Sequence, residues 1–231
     1  MSDDSDSATT TISRTKAFLA FNPLRMSTPL ATALKSAWNY AEYRQHLEDL
    51  LDKGLTTGPN QGEFYLEIAQ LNQKRMDRLD KKNRLVEPFT ELLRGLKRNY
   101  LLLVLSEGWC GDAAQTLPVF NWIAESSPNI DLHVILRDEH TDLMDEYLTD
   151  EGQSIPKVLF IDSATNEVIG DWGPRPVVAQ AMSRQYKRSP EPKKPYAEHH
   201  IDLHGWYARD KTLSTQAEVK GIFEWLERVA R

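Results

Sequence analysis

One residue of this chain could carry redox chemistry, the cysteine at position 110, and its neighbours set what that chemistry can be. Cys110 is the only cysteine among 231 residues, so neither an intramolecular disulfide nor a cysteine-only metal site can form. It stands in the segment Trp109-Cys110-Gly111-Asp112-Ala113, directly after a short polar break. A lone cysteine acts as a nucleophile through its thiolate, so its pKa decides how reactive it is.

The sequence on either side of Cys110 predicts a buried strand followed by a helix. Leu101–Leu105 are five consecutive aliphatic residues, which is typical of a strand buried on both faces of a sheet. After the cysteine, apolar residues such as Ala114 and Leu117 follow helical spacing. Cys110 would therefore lie at a helix N-terminus, where free amides and the helix dipole favour a thiolate. We expect a modestly lowered pKa for Cys110, because the opposing Asp112 carboxylate can turn to solvent.

This segment resembles the active site of the thioredoxin superfamily, which reads Trp-Cys-Gly-Pro-Cys after a hydrophobic strand. Pro118 falls on the position of the family's kinking proline, eight residues after the cysteine. Asp112 replaces the proline of the motif, and Ala113 replaces its second, resolving cysteine. Val104 stands where thioredoxin has a buried acid that assists proton transfer. The resemblance implies the fold and Cys110 as nucleophile, while the departures imply altered chemistry.

Three later segments predict the remaining strands of such a core. Leu132–Leu136 and Val158–Ile161 are apolar runs, and a turn leads from the second of them into Glu167–Trp172. The order of strands and helices predicts a parallel βαβ unit followed by an antiparallel hairpin. The predicted fold class is therefore α/β, a thioredoxin-like fold with a mixed central sheet flanked by helices and an N-terminal helical extension.

The predicted substrate groove is completed by four residues that come later in the chain. Ser154, Ile155 and Pro156 resemble the family's cis-proline loop, which lies against the active-site cysteine and offers its backbone to an extended substrate. Arg175 follows the predicted hairpin. It either belongs to a stiff turn or approaches the Cys110 side, where it would pair with Asp112 or an anionic ligand.

The chain divides into three predicted regions. Residues 1–28 are rich in Ser, Thr and Asp and are predicted to be a disordered tail. Residues 29–98 are predicted to form a helical extension packed on the core, with helices at about 33–52, 62–83 and 88–97. Residues 99–231 are the predicted thioredoxin-like domain, with an insertion at about 187–212. The connector at 56–61 either lines the Cys110 groove or is a plain helix connector.

The insertion contains a group of histidines, which either form a metal site or occupy ordinary surface positions. His199, His200 and His204 follow a proline-rich stretch, but no carboxylate or cysteine stands at a convincing ligand spacing. We interpret them as loop histidines and predict neither a metal nor a cofactor.

Composition restricts the partners and the compartment. The formal net charge of −6 gives no reason to expect binding to nucleic acid or to an anionic membrane. No run reaches the roughly 20 apolar residues that span a bilayer, and the N-terminus lacks the features of a signal peptide. A single cysteine points to a reducing compartment, so we expect a cytoplasmic protein.

Two functions remain open from the sequence. The combination of Trp-Cys-Gly-Asp-Ala-Ala-Gln, Ser-Ile-Pro-Lys and Gly-Pro-Arg-Pro resembles a bacterial thioredoxin-like family. The first function is redox chemistry, in which Cys110 exchanges with a disulfide or thiol adduct and an external thiol, protein or low-molecular-weight, resolves it. The alternative is a noncatalytic interaction module that keeps the fold and the groove. Peroxide chemistry at Cys110 is a weaker third hypothesis.

Overall fold

The structure is a computed structural model and describes residues 26–82 and 85–229. Residues 1–25 of the predicted disordered tail lie outside the described residues, whereas Ser27 caps the first helix. The elements in chain order are α1 (Thr28–Ala33), β1 (Trp38–Asn39), α2 (Tyr40–Leu51), α3 (Glu63–Asp80), α4 (Glu87–Arg94), β2 (Tyr100–Ser106), α5 (Ala113–Glu125), β3 (Ile130–Leu136), α6 (Thr141–Asp145), β4 (Lys157–Asp162), β5 (Val168–Trp172), α7 (Val177–Arg188), α8 (Tyr196–Asp210) and α9 (Leu213–Val229).

The five strands form one mixed sheet in the order β1-β3-β2-β4-β5. β2 and β3 are parallel, and the remaining neighbours, β1 with β3, β2 with β4 and β4 with β5, are antiparallel. The predicted fold class, a mixed sheet flanked by helices with a helical N-terminal region, is therefore confirmed. None of the helices in the described part of the chain is both long and apolar enough to cross a membrane.

The central strand β2 carries the hydrophobic core on both of its faces. All of its seven residues are buried, as the aliphatic run predicts. Because side chains alternate along a strand, Leu102 and Val104 join the cluster on one face of the sheet. Leu101, Leu103 and Leu105 join the cluster on the other face, which also contains Cys110. The cysteine is thus packed into a core rather than standing above it.

The first predicted helix, at 33–52, is wrong in its first part. Trp38 and Asn39 form the short strand β1, which pairs with β3 opposite Val134 and His133; without β1, β3 would be the edge of the sheet. Pairing covers backbone groups of an edge strand that would otherwise be exposed, and this tertiary gain outweighs helical spacing. Asn39 then starts α2 with a capping box that includes Glu42.

The other two extension helices agree with prediction and pack against other helices of the core. The predicted helices at 62–83 and 88–97 correspond to α3 and α4. Phe89 and Leu93 of α4 are fully buried, and the Phe89 ring lies 6.3 Å from the ring of Phe223 in α9. The extension and the C-terminal helix therefore share one core cluster.

The insertion contains a helix where a loop was expected. Residues 196–210 form α8, which carries all three histidines of the group. The helix ends at Lys211 and Thr212, which both adopt left-handed backbone angles, with φ of 53° and 70°. The reading of His199, His200 and His204 as loop residues is therefore wrong, because tertiary packing orders a segment that lacks a strong helical pattern.

Candidate functional site

Cys110 lies between the end of β2 and the start of α5, against the proline loop. Its Sγ donates a hydrogen bond to the Ile155 carbonyl oxygen at 3.3 Å, and the Ala113 amide donates to Sγ at 3.4 Å. The Ile155–Pro156 bond is cis, as predicted. Ser154 lies in the preceding turn, where its amide bonds to the Gly152 carbonyl at 2.8 Å. The structure thus brings the cysteine and the cis-proline loop together.

Asp112 is held inside the site by two partners. Its Oδ2 accepts from Arg175 Nε at 3.0 Å and Nη2 at 2.5 Å, and its Oδ1 accepts from the Tyr207 hydroxyl at 2.7 Å. The arginine in turn donates to Gln180 at 2.9 Å. Of the two alternatives for Arg175, the structure therefore shows the approach to the Cys110 side, with Asp112 as its partner. Tyr207, on α8, is a site residue that sequence reasoning missed.

The expected lowering of the Cys110 pKa is wrong. Burial raises the pKa of the Cys110 thiol to about 12, and the Asp112 carboxylate contributes to the rise, while the Ala113 amide opposes it. Cys110 is only 7% exposed and Asp112 only 8%. The prediction assumed that Asp112 points to solvent, but Arg175 and Tyr207 keep its charge beside the sulfur. The thiol is therefore protonated at neutral pH.

Two histidines of α8 cover the turn that contains the cysteine. Gln115 Nε2 lies 3.2 Å from His204 Nδ1, and His204 Nε2 lies 2.9 Å from His200 Nε2. Because an amide nitrogen only donates, Nδ1 of His204 accepts and its ring proton resides on Nε2. Burial, with the nearby cation Arg75, lowers the pKa of His204 to about 3, so this ring is neutral.

The contact of His200 and His204 with the cysteine turn requires a glycine at position 111. A Cβ atom at this position would lie 2.8 Å from His204 Nε2 and 3.3 Å from His200 Nε2, closer than packing allows. The glycine of the motif therefore lets α8 close over the cysteine turn.

No three His, Cys, Asp or Glu side chains within residues 26–82 and 85–229 converge as a metal site requires.

The extension contacts the segment immediately before Cys110. The Gly108 amide donates to Thr57 Oγ1 at 2.8 Å, and Asn72 Nδ2 of α3 donates to the Gly108 carbonyl at 3.0 Å. Trp109 packs edge-on against Tyr65 with ring centroids 5.8 Å apart. The connector at 56–61 contributes Thr57 to these contacts, so it supports the segment before the cysteine, and its lining of the Cys110 groove stays a prediction.

Glu107 is a second site residue that the sequence did not reveal. It is 1% exposed, and its carboxylate accepts from the Asp138 amide at 2.9 Å. Burial raises its pKa. A buried acid thus precedes the cysteine by three residues, whereas Val104 is buried in the sheet. In the sequence, Glu107 belongs to the polar break Ser106-Glu107-Gly108, and this pattern does not predict that its side chain is buried.

Comparisons with known proteins agree on the fold. A family model described as Thioredoxin matches residues 58–187. A crystal structure of a protein of unknown function from Pseudomonas aeruginosa is similar, with a TM-score of 0.60, 22% identity, and coverage of 87% of this chain and 99% of that one. An HIV epitope scaffold is similar with a TM-score of 0.50 and 24% identity, covering 81% of this chain and 98% of its own. A search of curated proteins finds no match.

Proposed function

The chain belongs to the thioredoxin family, and from that premise we propose that it performs monothiol thiol–disulfide exchange through Cys110, resolved by an external thiol. The observation that supports this most is the 3.3 Å contact between Cys110 Sγ and the Ile155 carbonyl, beside the cis-proline. A disulfide laid along the Ile155–Pro156 loop would present its sulfur to Sγ. Ser154 precedes Ile155 in this loop, and Arg175 is paired with Asp112, two residues after the cysteine.

The exchange needs two balanced steps. The Cys110 sulfur attacks one sulfur of a substrate disulfide, forms a mixed disulfide, and the displaced sulfur leaves with the proton that Cys110 lost. Ala113 holds the place of a resolving cysteine, so an external thiol must attack the mixed disulfide and regenerate the Cys110 thiol. The partner is therefore a thiol or disulfide of a protein or of a low-molecular-weight compound.

In this proposal the structure represents the resting form of the site. Because the Cys110 thiol is buried and protonated, attack requires that the sulfur become exposed and lose its proton. Thiolate chemistry with a single cysteine suits a reducing compartment, so we propose the bacterial cytoplasm as its location.

A noncatalytic interaction module is the second candidate, and one observation favours it. Burial and the Asp112 charge raise the pKa of Cys110 to about 12, so very little thiolate exists at neutral pH. In this alternative the Ile155–Pro156 groove binds an extended partner segment and the cysteine serves only as packing.

Mass spectrometry of the intact protein separates the two functions. Full-length protein is incubated with a low-molecular-weight disulfide, and then with the corresponding thiol. If the protein performs exchange, the disulfide should add one mixed-disulfide adduct per chain, and the thiol should remove it. The Cys110→Ser variant should form no adduct. Failure to form the adduct under native conditions, with adduct formation after denaturation, would refute exchange and leave the interaction module.

A further inference from the structure

A pocket separate from the cysteine groove lies between α3, α5 and the α8–α9 turn. Its volume is about 180 Å³, and its mouth carries the exposed cations Arg78, Lys82 and Lys211. Its inner wall includes the buried side chains of Trp122 and Tyr207. Neither Cys110 nor any residue of the cis-proline loop lines it.

Arg78, Lys82 and Lys211 have no acidic partner in the part of the chain that the structure describes. No Asp or Glu lines the pocket. Within residues 26–82 and 85–229, the ion pairs of the structure involve none of Arg78, Lys82 and Lys211. What distinguishes the three is that they line one pocket together, with no acidic side chain among its lining residues.

The acidic residues nearest to these cations in sequence bind other groups of the protein. Asp77 and Asp80, on the same helix as Arg78, both bind Arg44. Asp210, the neighbour of Lys211, accepts hydrogen bonds from the amide and hydroxyl of Ser214. Burial and the charge of Arg78 also lower the pKa of Arg75, which agrees with uncompensated positive charge along this face of α3.

We propose that this pocket binds a phosphate group, either as the free ion or as a small phosphate monoester. Three cations suit a phosphate monoester, which carries about −1.5 to −2 at neutral pH, better than a carboxylate with a single charge. Arg78 supplies the planar donor fork that binds phosphate oxygens in pairs, and the lysines add point charges. The volume is below the roughly 300–1,000 Å³ of pockets for drug-sized ligands, so a phosphosugar fits better than a nucleotide.

The apolar part of the lining gives such a ligand a place for its organic part. Trp122, Leu79 and Ala208 line the pocket together with the Gln115 amide. The far side of the pocket adjoins the cysteine site, since Tyr207 binds Asp112 and Gln115 contacts His204. The pocket is nevertheless independent of the proposed exchange, because Cys110 takes no part in it.

Calorimetric titration of the full chain tests the proposal with four probes: inorganic phosphate, glucose 6-phosphate, glucose and acetate. We expect saturable binding of one or both phosphate probes and none of glucose or acetate. Tighter binding of glucose 6-phosphate identifies a monoester as the ligand, whereas equal or tighter binding of inorganic phosphate identifies the free ion. Acetate binding as tightly as phosphate would overturn the proposal, as would the absence of phosphate binding.

Variants separate this pocket from general surface charge. Arg78→Gln and Lys82→Gln should each weaken phosphate binding by about 10–100-fold, the effect of losing one charge-assisted hydrogen bond. Lys53→Gln, at an exposed lysine after α2, is the matched control and should bind like the wild type. Equal affinity in all three variants would overturn the assignment to this pocket. Cys110→Ser should keep full affinity, so failure of the exchange proposal leaves this test intact.

Discussion

The charge of Asp112 should control how reactive Cys110 is. Asp112→Asn removes the carboxylate that raises the pKa of the thiol and leaves the Arg175 cation beside it. The asparagine keeps the shape of the side chain, and its amide oxygen can still accept from Arg175 while its amide nitrogen donates to the Tyr207 hydroxyl oxygen. The substitution therefore changes the electrostatics of the site with little change in packing.

The size of the effect follows from the usual strength of interactions between a charge and a neighbouring titrating group. A charge within about 4–6 Å of a titrating group shifts its pKa by about 1–3 units. Starting from about 12, the pKa of Cys110 should fall to about 9–11, and no further, because burial is its largest cause. Each unit gives about tenfold more thiolate but a thiolate about threefold less nucleophilic. The alkylation rate at neutral pH should therefore rise by about 3- to 40-fold.

Alkylation with iodoacetamide, followed against pH, measures this prediction. Below its pKa the thiol is protonated, so the wild-type rate should climb about tenfold per pH unit through pH ~10 without a plateau. The variant should start to level off earlier. Asp49→Asn, an exposed position of α2, is the control and should match the wild type. A wild-type inflection at or below the free-cysteine value of about 8.5 would refute the reasoning, since burial and Asp112 would then not dominate.

Three further substitutions test other contacts of the site and the core. Gly111→Ala places a Cβ 2.8 Å from His204 Nε2, so it should cost about 1–3 kcal/mol of stability in thermal unfolding and speed alkylation of Cys110 by displacing α8. Unchanged stability and alkylation would show that α8 does not close over the turn. Tyr207→Phe removes the 2.7 Å hydrogen bond to Asp112 and should cost about 1.5–3 kcal/mol by denaturant unfolding. Phe89→Ala should cost about 3–5 kcal/mol, because Phe89 is fully buried beside Phe223; a cost below about 1 kcal/mol would mean that the extension folds independently.

The sequence by itself determined the core and the position of the cysteine within it. The aliphatic run at Leu101–Leu105 can be satisfied only by burial on both faces, and it became the central strand β2. Pro156 immediately precedes β4, and its cis-bonded neighbour Ile155 contacts Cys110, as the local pattern and the family resemblance implied. These features depend on local periodicity and on short motifs, which a sequence displays directly.

Only the tertiary structure decided the electrostatics of the site. The pKa of Cys110 depends on where the Asp112 carboxylate points, and that is set by Arg175 and Tyr207, which lie 63 and 95 residues away along the chain. The burial of Glu107 depends on the extension in the same way, since Thr57 and Asn72 cover the segment that follows it. Local pattern gives the type of each element, but burial and charge pairing arise between elements distant in sequence. For that reason the position of Cys110 at a helix N-terminus predicted a lowered pKa, whereas burial and the Asp112 charge keep the thiol protonated in the folded chain.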